Sequence, residues 1–174
     1  MKLTWFGGIT VRVHIGGTIL VVEPAGAPAD FDRAELLSGA NRVLVRGELP
    51  LVNLAEWQPR KAGRLLDEVE EAPATAWWTG TGTILVEASG QAPLLLVSDG
   101  VPPLGRWAES ATVALFGDGE QLVALGLALL AERPPRLLAL AGDEAAIDYA
   151  VPHLRDRLDG AGLVALEVGM ALEV

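Results

Sequence analysis

The stretch KLTWFGGITVRVHIGGTILVVEP (residues 2–24) decides the fold, because it predicts three consecutive β-strands. Apolar and polar residues alternate over residues 9–15 with the period of two that is typical of a strand with one buried face. Gly16 and Gly17 form a two-residue hairpin signal, and Pro24 ends the returning strand. The opening therefore predicts a β-meander, in which three neighbouring strands run antiparallel.

The rest of the chain predicts a second meander followed by an α/β alternation. Strands are expected at residues 83–88 and 94–97, and residues 112–168 then alternate strand, helix, strand, helix and strand. Earlier elements are a short helix capped by Asp30 or Asp32, a strand at residues 42–46 and a helix at residues 60–72 opened by Pro59. We expect one α/β domain over residues 1–174, with two sheets related by internal pseudo-symmetry.

Composition limits the classes of partner. The 174 residues carry 13 Lys+Arg against 23 Asp+Glu, and the net charge of −10 would repel phosphate backbones and anionic membranes. The longest uncharged apolar run, at residues 121–131, is shorter than the roughly 20 residues that span a bilayer. The opening residues also lack the apolar region of a secretory signal. We therefore expect a cytoplasmic protein that binds neither nucleic acid nor membrane.

The counts of cysteine and histidine limit the chemistry further. The chain has no cysteine and only His14 and His153, so its side chains cannot build a zinc site of three or four nitrogen or sulfur ligands. Both histidines are expected at the surface, one on the polar face of a strand and one at the flank of a helix. The TGTGT run at residues 79–83 precedes a strand, so it predicts a turn rather than a phosphate loop.

The opening stretch resembles the start of the metallo-β-lactamase superfamily, particularly its ascorbate-phosphate lactonase-like branch of small metal-dependent hydrolases. In that pattern a glycine precedes a histidine, and an Asp-Pro pair ends the hairpin. Gly7 matches the family glycine, Gly8 stands in place of the histidine, and Glu23 stands in place of the aspartate. The resemblance implies an α/β fold of the metallo-β-lactamase-like αββα sandwich type, reduced in size here.

The resemblance also assigns a metal-binding loop to the stretch RVLVRGELPLV (residues 42–52). The family has a strand there that ends in a run of histidines and an aspartate. The four ligand positions of that run hold Gly47, Leu49, Leu51 and Val52 in this chain. Trp77 and Trp78 stand near a further family histidine. Only the strand and one proline of the family pattern remain.

These replacements predict a domain that has kept the fold and lost its metal. The family uses its ligands to hold an ion that lowers the pKa of bound water, and Leu49, Leu51 and Val52 have no lone pairs to offer. We expect these apolar side chains to fill the former pocket or make it dry. The predicted function is non-catalytic, in binding or assembly, and no cofactor is expected.

A metal-dependent hydrolase with an oxygen-only site is the alternative. The family pattern places Asp99, with Asp118 as a rival, on a bridging aspartate and Glu167 on the last ligand histidine. Carboxylates suit Mg²⁺, Ca²⁺ or Mn²⁺ rather than zinc. Glu23 lies near such a site, whereas Glu48 occupies a spacer position and is expected to point elsewhere.

Trp77 and Trp78 suggest a surface for self-association. Adjacent strand residues point to opposite faces, so one indole is expected in the core and the other at the surface. An exposed indole beside the apolar loop at residues 47–52 would form a contact patch. The chain is therefore expected to form a homo-oligomer.

Overall fold

The computed structural model describes residues 1–60 and 73–174. Of the helix predicted for residues 60–72, only residue 60 belongs to the described part of the chain, and residues 61–72 lie outside it. In the described part of the chain, eleven strands and three α-helices make a mixed α/β fold with two sheets. In chain order these elements are β1 (Lys2–Trp5), β2 (Val11–Ile15), β3 (Thr18–Val22), α1 (Arg33–Leu37), β4 (Arg42–Leu44), β5 (Thr75–Trp78), β6 (Thr83–Glu87), β7 (Leu94–Val97), β8 (Thr112–Phe116), α2 (Gly119–Glu132), β9 (Leu137–Ala141), α3 (Glu144–Leu154), β10 (Gly162–Ala165) and β11 (Ala171–Glu173).

The first sheet contains the predicted meander. Its strand order is β11-β1-β2-β3-β4, with antiparallel pairs throughout except for the parallel pair of β3 and β4. The hairpin between β2 and β3 turns at Gly16 and Gly17, whose φ angles of 53° and 72° are both positive. Positive φ at both central residues is the requirement of the tight turn that matches strand twist, and glycine meets it without strain.

The second sheet joins the second meander to the α/β alternation. Its order is β10-β9-β8-β7-β6-β5, antiparallel from β5 to β7 and parallel from β7 to β10. The parallel register of β8, β9 and β10 requires crossover connections, which α2 and α3 supply. Both helices begin at an aspartate whose side chain accepts a hydrogen bond from a first-turn amide.

Two hydrophobic cores hold the layers together. One lies between the sheets and includes Val13 and Leu20 from the first sheet and Ile84 and Leu96 from the second. The other lies between the second sheet and the pair α2 and α3. On the outer face of the first sheet, Arg12 donates hydrogen bonds to the carbonyl groups of Leu36 (3.2 Å) and Ser38 (2.7 Å), and so ties the end of α1 to β2.

Several element boundaries differ from the sequence prediction. β5 and β11 were not predicted, because β5 has no apolar/polar alternation and β11 is short and mostly exposed. β4 ends at Leu44 rather than Arg46, because the Arg46 backbone N–H bonds to the Glu23 side chain and a 3₁₀ turn (Arg46–Glu48) follows. None of the helices in the described ranges is long and apolar enough to cross a membrane.

Candidate functional site

A cleft of about 580 Å³ opens where parallel strands of both sheets end. Arg46 reaches it from the loop after β4, and the loops after β7, β8 and β9 line the rest. Trp5, Ile9 and Phe116 form an apolar floor. Ligands of open α/β sheets bind outside the carboxyl ends of the strands, so this edge is where the topology itself would place a site.

Arg46 joins the ends of the two sheets across the cleft. The Glu23 carboxylate accepts hydrogen bonds from the Arg46 backbone N–H (2.7 Å) and from its Nε (3.3 Å). Arg46 Nη1 donates to Ser98 Oγ (3.2 Å), and that hydroxyl donates in turn to the Gly82 carbonyl (3.0 Å). The Arg46 and Glu23 side chains are 34% and 17% exposed, so the pair is reachable from solvent.

The residue that pairs with Arg46, Glu23, has a strained backbone conformation. Its φ of 46° and ψ of 55° lie in the left-handed region, which costs a non-glycine residue about 1–2 kcal/mol. Two hydrogen bonds fix this conformation: Glu23 N–H donates to the Leu44 carbonyl (2.9 Å), and Thr10 Oγ1 donates to the Glu23 carbonyl (2.6 Å). Strain retained at a cleft is typical of functional positions.

The starts of α2 and α3 face the cleft but are already capped. Asp118 accepts a hydrogen bond from the Gln121 backbone N–H (2.9 Å), and Asp143 accepts one from the Ala146 N–H (2.8 Å). Gln121 Nε2 also donates to the Ser98 carbonyl (2.7 Å) and so ties α2 to the loop after β7. Because aspartate side chains bond to first-turn amides and place negative charge there, these helix starts do not favour an anion.

The charges that line the cleft do not cancel. The lining contains Arg46, whose partner Glu23 lies outside it, and the carboxylates of Asp99 and Asp143. Within residues 1–60 and 73–174, neither of these aspartates forms an ion pair with a basic side chain. The described lining therefore carries a net negative charge.

The former metal-loop positions do not line this cleft. Gly47, Leu49, Leu51 and Val52 are absent from its lining. Leu49 is buried in the core between the sheets, whereas Leu51 is 71% exposed. The loop runs beside β5 instead: Val52 N–H donates to the Trp78 carbonyl (2.9 Å), and Trp78 N–H donates to the Pro50 carbonyl (2.9 Å). These bonds direct the loop along the edge of the second sheet and away from the cleft.

The carboxylates of the alternative cation site do not meet in the cleft. Asp99 lines it, but Glu167 is exposed outside the lining, next to Val168, which pairs with Trp5. Asp118 caps α2 and is also outside the lining, and Glu48 is exposed away from it, as expected. No group of three or more histidine and carboxylate side chains is arranged to hold a metal ion in the described ranges.

The two tryptophans point to opposite faces, as predicted, but neither is exposed. Trp78 packs against the core between the sheets, and its indole N–H donates to the Thr81 carbonyl. Trp77 packs against the other core and meets Trp57 edge-on, with ring centroids 6.0 Å apart. Both rings are half-buried, so the expectation that one of them is exposed is wrong.

The remaining expectations for single residues agree with the structure. His14 and His153 are both exposed, as predicted. The TGTGT run connects β5 to β6 as a turn, with a hydrogen bond from Thr79 N–H to the Thr83 carbonyl (3.1 Å). Neither histidine lines the cleft, so imidazole takes no part in its chemistry.

Arg46, Ser98 and Asp143 were not singled out from the sequence as site residues. A signal for them exists, because each follows a strand by one or two residues: VLVR, LLVS and LALAGD. The Gly-Asp pair after β9 also repeats the Gly-Asp pair after β8. Polar residues at the carboxyl ends of parallel strands share one edge of a sheet, so this pattern alone predicts a common site.

Comparisons with protein-family models, with curated proteins and with solved structures find no match to this chain. The likeness to a family therefore rests on residues 2–24 and on the positions that follow them. The geometry of the cleft and its hydrogen bonds does not depend on that likeness.

Proposed function

We propose that this chain is a small metallo-β-lactamase-like domain that has lost its metal site and acts as a non-catalytic binding protein. Its ligand would occupy the cleft at the carboxyl ends of the strands. Two packed sheets, each with an antiparallel meander, and helices on the outer face of the second sheet support this αββα assignment. The glycine at position 7 and the strand end at Pro24 support it from the sequence.

The observation that carries the proposal is the position of Arg46. In the family pattern, the loops after β4 and β7 bring metal ligands together, and in this chain they bring together Arg46 and Ser98 (3.2 Å). A guanidinium is permanently charged and presents its donors in a fixed plane. It supplies a positive charge beside the Asp99 position without an ion.

The cleft suits binding better than catalysis. Its volume of about 580 Å³ lies within the roughly 300–1,000 Å³ that is usual for small-molecule sites, and an apolar floor with a few polar groups is their common lining. Ser98 is the one hydroxyl in the lining, and it is engaged by Arg46 and Gly82. A hydroxyl nucleophile needs an adjacent base, and no histidine lines the cleft.

Metal analysis of the purified chain tests this proposal. After equilibration with zinc, manganese or iron and removal of free ions, we expect well below one bound ion per chain. One ion per chain would contradict the loss of the metal site. The same experiment on Asp99→Asn provides the control for adventitious binding, because that substitution removes the carboxylate of the cleft that the family pattern assigns to a metal.

The oxygen-only hydrolase is a second candidate, because Asp99 does line the cleft. It predicts that Mn²⁺ selectively broadens the NMR signals of residues 98–100 and 166–168, and that Asp99→Asn abolishes the effect. Our proposal predicts no broadening confined to these residues. Glu23 is unsuited to complete such a site, because its carboxylate already accepts two hydrogen bonds from Arg46.

A further inference from the structure

We infer that the ligand of this cleft is a protonated organic amine with an apolar body, an inference that rests on the proposed binding function. The cleft has room for a molecule of the size of a biogenic or aromatic amine. Three properties of the cleft support this ligand class: the charge of the lining, the apolar floor, and the aspartate caps at the starts of α2 and α3.

The charge of the lining favours a cation. Arg46 is offset by Glu23, with Nε and Oε1 3.3 Å apart, so it contributes little net field. Asp99 and Asp143 remain, and Asp143 uses one carboxylate oxygen, Oδ1, to cap α3 while its second oxygen is left for a ligand. A protonated amine would form charge-assisted hydrogen bonds with such carboxylates, which are stronger than neutral ones. The net charge of −10 on the chain would also attract cations.

The floor of the cleft favours an organic cation over a metal ion. Trp5 and Phe116 place aromatic rings at the floor, beside the aliphatic side chain of Ile9. An apolar floor binds the hydrocarbon part of an organic ligand. Divalent ions require six or more oxygen ligands or retained water, which a largely apolar floor does not supply.

The helix starts argue against an anionic ligand. At the starts of α2 and α3, Asp118 and Asp143 each accept a hydrogen bond from one first-turn amide and place a negative charge where a phosphate or carboxylate would bind. An anion would also meet the carboxylates of Asp99 and Asp143 in the lining. The same two residues that would bind an amine would therefore repel an anion.

Three probes of similar shape test the inference: 2-phenylethylamine, 2-phenylethanol and phenylacetate. Each would be titrated into the chain by calorimetry, with binding located by ¹H–¹⁵N NMR. We expect the amine to bind about tenfold more tightly than the alcohol, as for a charge-assisted contact, and phenylacetate to bind most weakly. The amine should shift the backbone signals of residues 98–99, 117 and 142–143, which line the cleft.

Matched variants separate the cleft carboxylates from the overall charge. Asp99→Asn and Asp143→Asn should each weaken amine binding several-fold, and asparagine is as good a helix cap as aspartate, so α3 should stay intact. Asp118→Asn is the control: it removes the same charge from the same kind of cap on α2, but Asp118 does not line the cleft. We expect it to leave the affinity within about twofold, because its carboxylate does not line the cleft.

The outcomes distinguish this inference from the proposed function. Tighter binding of phenylacetate in the cleft, or equal effects of Asp118→Asn and Asp143→Asn, would overturn the amine assignment while leaving a binding protein. Failure of all three probes to shift the cleft signals would also overturn it. Metal analysis tests the proposed function separately, because one bound ion per chain would contradict that function whether or not an amine binds.

Discussion

Two glutamate–arginine pairs in this molecule share one hydrogen-bond pattern but lie at different depths. Glu23 accepts hydrogen bonds from the backbone N–H and the Nε of Arg46, and Glu87 accepts them from the backbone N–H and the Nε of Arg60. The Glu87 side chain is 2% exposed, whereas that of Glu23 is 17% exposed. Arg60 Nη2 also donates to Thr75 Oγ1 (2.9 Å), which ties the chain before β5 to the second sheet.

The same kind of ion pair therefore contributes to stability in one place and to a candidate binding site in another. Glu87 lies within β6, away from the cleft, and its buried carboxylate depends on its partner for solvation. Arg46 lies at a strand end, lines the cleft and has a partner with a strained backbone. Substitution of Arg60 should therefore affect unfolding most, and substitution of Arg46 should affect binding most.

The largest stability effect is expected for Arg60→Met. It leaves the Glu87 carboxylate, which is 2% exposed, with one backbone N–H, and leaving a buried charged group short of partners costs about 3 kcal/mol. Urea unfolding measures the change. Arg133→Met is the control, because its partner Glu109 is exposed and such surface pairs contribute about 0–1 kcal/mol. Equal losses for the two variants would show that burial does not distinguish these pairs.

A smaller loss is expected for Gly82→Ala, which tests the packing beside the cleft. An added Cβ at Gly82 would lie 2.5 Å from both the Cβ and the backbone N of Asp99, and overpacking of this kind costs about 1–3 kcal/mol. Gly47→Ala is the control, because a Cβ at this former ligand position meets nothing within 4 Å. Thermal unfolding would contradict the account if Gly47→Ala were the more harmful change.

Arg46→Met should lower stability by only about 1 kcal/mol, because the pair is partly exposed. Its main effect should be on binding. Loss of the guanidinium leaves Glu23 unneutralised at the cleft, so 2-phenylethylamine should bind several-fold more tightly by calorimetry. Weaker amine binding in this variant would contradict the charge balance on which the amine assignment depends.

The smallest stability effect is expected for Leu51→Ser, which tests self-association instead. Leu51 is 71% exposed and pairs with Trp78, so its loss should change unfolding by less than about 0.5 kcal/mol. Light scattering should show a dimer or larger species for the unsubstituted chain and a smaller species for the variant. If the unsubstituted chain is a monomer at high concentration, the predicted homo-oligomer is contradicted. Trp77→Ala is less informative, because that half-buried ring also packs against Trp57.

The sequence predicted the elements whose signals are local. Alternation and the Gly16-Gly17 turn predicted β2 and β3, and the α/β alternation predicted the helices α2 and α3. It did not predict β5, since its TAWW sequence has no alternation and its strand forms only by pairing with β6.

The site was harder to predict than the fold, because it depends on contacts between distant residues. The direction of the loop at residues 47–52 is set by its hydrogen bonds with Trp78, about which local sequence carries no information. Arg46 reaches Ser98 across 52 residues of chain. The residue types were visible in the sequence, and only the paired sheets bring them together.

The most direct measurement of the central claim is a crystal structure of the chain equilibrated with zinc, with anomalous data collected at the zinc edge. The account predicts no anomalous peak in the cleft and Arg46 Nε within hydrogen-bond distance of the Glu23 carboxylate. A zinc peak coordinated by Asp99, with the Arg46 side chain turned away from Glu23, would contradict it.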